Sequence, residues 1–395
     1  MPVKQNKKFH LITIGLISTL MGLGQNGLLV SLPFLVEQSP LSLSTWSVLI
    51  AIGSFIFLPS APYWGRYSDQ YGPKKVIILA LSGMAVSFSI LSYFSINSSK
   101  DISVTDCFIG LLIARVLYGL TVSGLVPACQ NWAINLHSDA ERLQAITSVS
   151  VGLSLGRLLG PLIAIVALKI SPFSPLMVMI ALPCLALLAI LFITNPQNSD
   201  STTIQSKSQS WLPQKTLLPF LLSGLLLCTS IALLQYSFTP LIASIADLAT
   251  GQISDAIGML LILSAACTLI TQMGALKYKI PPLIMYRIGA LNLMVGFIIF
   301  LFPSVWMFAA AMAIASSGAA LLVPAYTALA TEKHSQNTGA VAGDISMFHT
   351  MGYGLAALLA FTATQQPLYP IYLCIVFALL ILTTAYFVVH RENIM

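Results

Sequence analysis

The sequence predicts an all-α membrane protein: twelve transmembrane helices in two six-helix bundles. Three observations predict it. The composition is too poor in charge for a water-facing surface, the apolar runs are long enough to cross a bilayer, and one polar segment divides those runs six and six. Of 395 residues, 57% are hydrophobic and 8% charged, where soluble domains carry about 25% charged residues. A helical crossing takes roughly 20 apolar residues. In hydrocarbon the backbone must satisfy its own hydrogen bonds, so runs of that length become helices. The alternating polarity of a membrane β-barrel is absent.

Taken in order, the apolar runs place helices near residues 10–35, 44–64, 75–96, 105–131, 141–168 and 173–194. A second set follows near 216–243, 252–275, 283–302, 304–330, 338–363 and 366–389. The first run, Leu11 to Leu35, follows Lys4, Lys7 and Lys8 but ends at no A-x-A cleavage site, so it reads as a retained helix and not a secretory leader. Residues 1–194 thus form a first bundle and 216–395 a second. Residues 195–215, rich in Ser, Gln and Asn, form a flexible linker between them.

Charge sets the expected orientation. With the N-terminus inside the cell, fourteen of the eighteen Lys and Arg residues face the cytoplasm. Lys100 and Lys169 then lie outside, and Arg115 and Arg157 lie within helices. That asymmetry is the positive-inside rule. It places both termini in the cytoplasm of a multi-pass inner-membrane protein, and it accounts for the net charge of +6 without nucleic acid. The six cysteines stand singly, with no C-x-x-C pair or Cys/His cluster, so no metal, cofactor or disulfide framework is expected.

The halves resemble each other. The fourth helix carries S-G-L-V-P-A (Ser123 to Ala128) and the tenth S-G-A-A-L-L-V-P-A (Ser317 to Ala325). A glycine-bearing helix follows about thirty residues after each proline: Gly152, Gly156 and Gly160 in one, Gly352 and Gly354 in the other. Matching positions in the two halves point to an internal repeat, and transporters place substrate sites at such repeat interfaces.

The loop between helices two and three reads G-R-Y-S-D-Q-Y-G-P-K-K, from Gly65 to Lys75. The glycines allow a tight reversal, and Lys74 and Lys75 mark the inner face. The combined spacing of Gly65, Asp69, Gly72 and Lys74 resembles the signature loop of the major facilitator superfamily, G-x-L-a-D-r-x-G-r-k. Tyr67, Gln70 and Pro73 depart from it. The resemblance implies a cytoplasmic gate holding the outward-facing state, with Asp69 at the amino end of the eleventh helix, near Thr338 to Ala340. The counterpart loop from Lys277, K-Y-K-I-P-P, is degenerate.

Two arginines lie inside helices, each costing at least about 2.5–3.5 kcal/mol to insert. Arg115, in L-L-I-A-R-V-L-Y-G-L-T, is expected to face a wet cavity or a partner. Leu111, Arg115 and Gly119 resemble the family's fourth-helix motif, which implies proton coupling or recognition of substrate charge. The fifth helix carries G-L-S-L-G-R-L-L-G-P, Gly152 to Pro161. Its glycines form a smooth stripe, and Pro161 permits a bend. Gly156, Gly160 and Pro161 resemble the family's antiporter motif, although Ala164 and Ile165 replace its last two glycines. Arg157 inside this motif points to an anionic substrate or to an ion pair with Asp344. The G-x-S-x-G around Ser154 lacks the strand-turn-helix setting of a hydrolase nucleophile, so no enzyme is expected.

Gln25 and Asn26 interrupt the first helix, and Gln235 and Tyr236 interrupt its repeat partner, the seventh. Their matched placement points to cavity lining. Asp344, about two turns into the eleventh helix, is the candidate proton carrier, with His349 a weaker one. Asp255 is expected at the solvated outer mouth. Together these features predict a monomeric secondary transporter that exports a small organic molecule by proton antiport. An exporter of an endogenous anionic metabolite such as a siderophore, or a proton-coupled nutrient importer, is the alternative. Its partners are the substrate, protons and the bilayer.

Overall fold

The computed structural model describes residues 2–41, 43–97, 103–136, 141–191, 213–245 and 250–388. Among these residues there is no strand, and nearly all lie in long helices. The first half contains α1 (Pro2–Glu37), α2 (Leu43–Tyr71), α3 (Pro73–Asn97), α4 (Val104–Asn135), α5 (Arg142–Leu168) and α6 (Ser174–Leu191). The second contains α7 (Leu218–Ile245), α8 (Thr250–Tyr278), α9 (Pro282–Ile299), α10 (Val305–Lys333), α11 (Thr338–Leu359) and α12 (Tyr369–Thr383). A turn at Ser123 and Gly124 interrupts α4 just before Pro127. Most of the polar segment 195–215 lies outside the described residues. So do the side chain of Asp255, at the start of α8, and those of Lys4, Lys7 and Lys8.

Several helices outrun the apolar stretches that predict them. α1 begins at Pro2 rather than near residue 10, and α4 continues to Asn135 rather than ending near 131. The apolar stretch marks only what hydrocarbon requires, and a helix continues past it wherever propensity and packing allow. Among the described residues, eleven helices are apolar enough to cross a membrane by length and composition. The remaining one, α11, is diluted by Asp344, His349 and many Gly, Ser and Thr residues. It packs against α2 and α7, and a helix shielded by protein can carry polar groups that a lipid-facing one cannot.

Two apolar cores hold the molecule together. One is built from α1–α6 around Trp46, Phe88, Trp132 and Leu176. The other is built from α7–α12 around Phe220, Phe238, Tyr286, Phe297 and Tyr326. They meet where Leu143 of α5 touches both and where Ala328 of α10 joins the first.

Each half contains helices that approach backbone to backbone, α1 with α5 among them in the first. A side chain at Gly152 or Gly156 would collide with the α1 carbonyls of Gly15 and Thr19, and one at Gly160 would meet Leu23 O at 2.9 Å. Ser18 Oγ ties this contact by donating to Val149 O at 3.0 Å. The second half repeats the arrangement between α7 and α11. Gly352 lies against the Leu225 carbonyl, and Thr229 Oγ1 donates to Gly352 O at 3.2 Å. Gly354 faces open space, so Gly352 alone mirrors the stripe.

Replacing Gly156 with Leu forces α1 and α5 apart and is expected to cost about 1–3 kcal/mol or more. The purified variant should show a lower melting temperature and lose its monodisperse elution peak. Gly258→Leu, where nothing lies within 4 Å, should leave both unchanged.

Candidate functional site

Basic side chains gather at one end of the bundle: Lys74 and Lys75 opening α3, Arg142 at the start of α5, Lys277 in the last turn of α8 with Lys279 just after it, and Lys333 closing α10. This basic end is where the halves are stitched together. Its turns are tight. Gly72 is the single residue between α2 and α3, with φ +91°, a conformation that only glycine adopts without strain. Its N–H donates to Ser68 O at 3.0 Å. Lys279, in the matching turn between α8 and α9, also has positive φ, at +50°.

The stitching centres on α2 and α11. A Cβ on Gly65 would strike the Gly339 carbonyl, and one on Gly343 would stand 2.5 Å from Ala61 O. Contact this close brings the Asp69 carboxylate onto the first turn of α11. There it accepts hydrogen bonds from Gly339 N at 2.8 Å and Ala340 N at 2.7 Å. A helix N-terminus presents unsatisfied N–H groups and a partial positive charge, so an anion is the fitting cap.

Asn131 of α4, 2% exposed, completes the junction. Its amide donates to Asp69 Oδ1 at 3.1 Å and Ser68 Oγ at 2.8 Å, and its carbonyl accepts from Thr338 Oγ1 at 2.8 Å. One turn further into the bundle, Arg66 Nη2 lies 3.2 Å from Asp344 Oδ1, and Arg66 Nη1 donates to Pro62 O at 3.0 Å. Both side chains are buried, which makes this an ion pair between the halves inside the bundle. Arg142 Nη1 adds a third tie by donating to the Thr331 carbonyl of α10.

This arrangement corrects one expectation. Asp344 pairs with Arg66 and not with Arg157, because Arg66 lies on the last buried turns of α2 directly across the seam. The positive-inside count treats Arg66 as a loop charge, and nothing in the local sequence marks it as buried. Asn131 and Arg142 were missed for a similar reason: each is an ordinary polar residue near a helix end, and only the fold brings them to the seam.

At mid-depth the predicted residues divide. Arg115 is 6% exposed. Its guanidinium lies 5.0 Å over the Tyr118 ring, beside the Gly53 backbone. Arg115 Nε and Tyr118 Oη find no hydrogen-bond partner among the described residues. Arg157 is exposed, and its backbone carbonyl accepts from Asn26 Nδ2 at 3.0 Å. Its charge reaches His349, Cys228 and Tyr353 of the opposite half. His349 Nε2 lies 2.5 Å from the hydroxyl of the buried Tyr326. Gln25, Gln235 and Tyr236 are exposed. Gly152, Gly156 and Gly160 serve the α1 contact, with Pro161 one residue beyond. Ser154 is buried in mid-helix.

Asp69→Asn keeps the size of the cap but removes its charge and one of its two acceptor oxygens, and charge-assisted hydrogen bonds are worth about 1.5–3 kcal/mol each. Spin labels at Tyr71 and Gln336, both at the basic end, should report a single short separation in the native chain. In the variant a second, longer separation should appear, while Lys74→Gln should leave the distribution unchanged.

The profile of the Major Facilitator Superfamily matches residues 14–361. Among curated relatives, multidrug resistance protein 2 of Bacillus subtilis is 26% identical over 158 residues, covering 40% of this chain and 36% of its own. The class B tetracycline resistance protein of Escherichia coli is 26% identical over 206 residues, covering 50% and 48%. The staphyloferrin B transporter of Staphylococcus aureus is 26% identical over 148 residues, covering 37% and 32%. The matches thus span between a third and a half of these relatives' lengths. Over nearly the whole chain the fold is that of the human organic anion transporter MFSD10 (TETRAN), with TM-score 0.74, 18% identity and coverage of 98% and 99%. The transporter FucP in its outward conformation gives TM-score 0.77, 15% identity and coverage of 97% and 99%. With two six-helix cores, a glycine-lined seam between α2 and α11 and a superfamily profile along most of its length, this chain belongs to the major facilitator superfamily.

Proposed function

We propose that the chain exports a small organic molecule in exchange for protons, by alternating access between residues 1–194 and 216–395. The basic end is cytoplasmic and carries the inner gate, in keeping with the bias of Lys and Arg toward it. One observation carries this reading: the α2–α11 seam seals the basic end through groups whose attraction depends on charge. With Asp344 ionised, its pair with Arg66 and the Asp69 cap hold the inner end closed. A proton arriving from outside neutralises Asp344 and releases Arg66, so the halves part at the inner end. Loss of that proton to the cytoplasm, with cargo loaded, restores the seal and turns the cavity outward.

Relatives named for multidrug and tetracycline resistance support export. The second reading, an endogenous metabolite as cargo, draws support from the relative named as a staphyloferrin B transporter. Arg115, buried at mid-depth over the Tyr118 ring and without an acidic partner among the described residues, is assigned to coupling or to substrate charge.

Everted membrane vesicles, acidified inside by respiration and supplied with tetracycline or fluorescein, test direction and coupling together. Uptake of a probe with simultaneous proton release is expected, and a protonophore should abolish it. Uptake that persists with the protonophore, or that occurs only in right-side-out vesicles, overturns the reading.

Asp344→Asn should insert normally yet lose at least about tenfold of proton-driven uptake, by the loss of its charge switch. Arg66→Gln leaves the acid buried without its partner, a change worth about 3–5 kcal/mol. The double variant Arg66→Gln/Asp344→Asn should recover the melting temperature but not the coupling. Arg115→Ala should abolish uptake at unchanged expression in the membrane.

A further inference from the structure

The second half contains a buried polar chain that the gate does not use. Ser223 Oγ of α7 and Tyr286 Oη of α9 lie 2.6 Å apart. The Tyr286 ring meets Tyr326 of α10 edge-on, with centroids 6.4 Å apart. The Tyr326 hydroxyl bonds His349 of α11 at 2.5 Å. The Cδ2–Nε2 edge of His349 packs against Gly224, where an added Cβ would sit 2.9 and 3.0 Å from those two atoms.

This geometry narrows the protonation pattern of the imidazole. Tyr326 is 0% exposed, and its O–H must donate to something or pay for burial unsatisfied. The acceptor within reach is His349 Nε2. If Nε2 accepts, the ring proton of the neutral imidazole sits on Nδ1. If the ring is instead an imidazolium, both nitrogens carry protons. In both cases Nδ1 is a hydrogen-bond donor, and it lies on the ring edge turned away from Gly224 and Tyr326.

Opposite stands Arg157, about 22 Å from the start of α5 at 1.5 Å per residue, with His349 about 16 Å from the start of α11. Both therefore sit near the middle of the bundle. Arg157 has no acidic partner among the described residues, although an arginine at that depth requires water or an anion. Asn26 holds its backbone from α1 at 3.0 Å. Tyr353, one turn beyond His349, is 43% exposed, with its hydroxyl beside the Cys228 thiol. The acid nearest in sequence on α11, Asp344, is occupied by Arg66.

We propose that Arg157 and the Tyr326-anchored His349, with Gln25 and Tyr353 beside them, form a mid-depth site between the halves for an organic anion bearing a carboxylate-type head on an apolar body. The guanidinium takes the head group through paired N–H donors, the Nδ1–H of His349 supplies a third, and the Tyr353 ring offers an apolar face. Lipophilic cations find no carboxylate partner there among the described residues. The site deepens the transport reading above and rests on it for its biological role, but its charge preference is measurable without transport.

The test places a cysteine at the exposed Gln25 of the full-length, detergent-purified chain and takes the native chain as background. Its labelling rates with anionic 2-sulfonatoethyl and cationic 2-(trimethylammonium)ethyl methanethiosulfonate are compared, each relative to a free thiol. The anionic reagent should be favoured by about tenfold, as an unscreened neighbouring cation in a partly wet site predicts. Arg157→Gln should remove the preference, Arg157→Lys should retain most of it, and Tyr326→Phe should reduce it by freeing the imidazole. Fluorescein should slow the labelling, and rhodamine 123, a cation on the same ring system, should not. A preference for the cationic reagent, a ratio indifferent to Arg157→Gln, or no labelling by either reagent overturns the site. Protection by rhodamine 123 alone, or by neither dye, overturns the ligand class. An intact preference in a chain without proton-driven uptake leaves the site standing and removes the export reading instead.

Discussion

The structure depends on one constraint: the first turn of α11 has backbone N–H groups with no partner of their own, at a depth where water is scarce. Among the described residues, the N-cap Asn337 of its own half makes no side-chain bond to them. Asp69 comes from the other half, and it reaches them only because Gly65, Gly339 and Gly343 let two backbones meet. The capping anion and the close approach are thus one feature. A side chain at the seam would not merely loosen the packing; it would leave a carboxylate and two amides buried and apart, each at the desolvation cost of a lost charged hydrogen bond. When the halves separate, water takes over both sets of groups, so the seal is strong when closed yet reversible.

The same small-residue contact occurs inside each half, between α1 and α5 and between α7 and α11, but with a different polar load. There the ties are neutral hydroxyls on carbonyls: Ser18 to Val149 O and Thr229 to Gly352 O. Neutral interhelical bonds in membranes are worth only about 0.6 kcal/mol on average, so the stability of each half rests on continuous packing that protonation does not touch. Across the halves most ties carry a charge: Asp69 on a helix terminus, Arg66 on Asp344 and Arg142 on the Thr331 carbonyl, with the neutral Thr338–Asn131 bond beside them. The close helix pairs within each half are thus tied by neutral groups, and the seam between the halves chiefly by charged ones.

Much of this was legible in the sequence. Apolar run lengths gave the helices, because hydrocarbon permits few other structures. Gly65, Asp69 and Gly72 carried the seam in a local pattern, and Gly152, Gly156 and Gly160 carried the α1 contact through helical spacing. What stayed hidden was partner choice. Asp344 was visible as a costly intramembrane acid, but whether it met Arg66 or Arg157 depends on how α2 and α5 are placed around α11, and no periodicity encodes that. Asn131 and Tyr326 were invisible for the opposite reason: a polar or aromatic residue inside a helix is common, and its value lies in partners 62 and 23 residues away.

The pairing of Asp344 with Arg66 has a consequence for how cargo and protons communicate. Among the described residues it removes the intramembrane acid that would have neutralised Arg157, so the cation at mid-depth stays free for a ligand. Asp344 and His349 then lie five residues apart on α11, a separation of about 7.5 Å along a helix. A packed helix of that length moves as a body and does not bend to uncouple its two ends. Whatever releases Asp344 from α2 therefore also shifts His349 relative to Arg157 on α5. The link between the gate and the mid-depth site requires no chain of side chains between them: α11 carries one group of each, and α2 and α5 of the other half hold their counterparts.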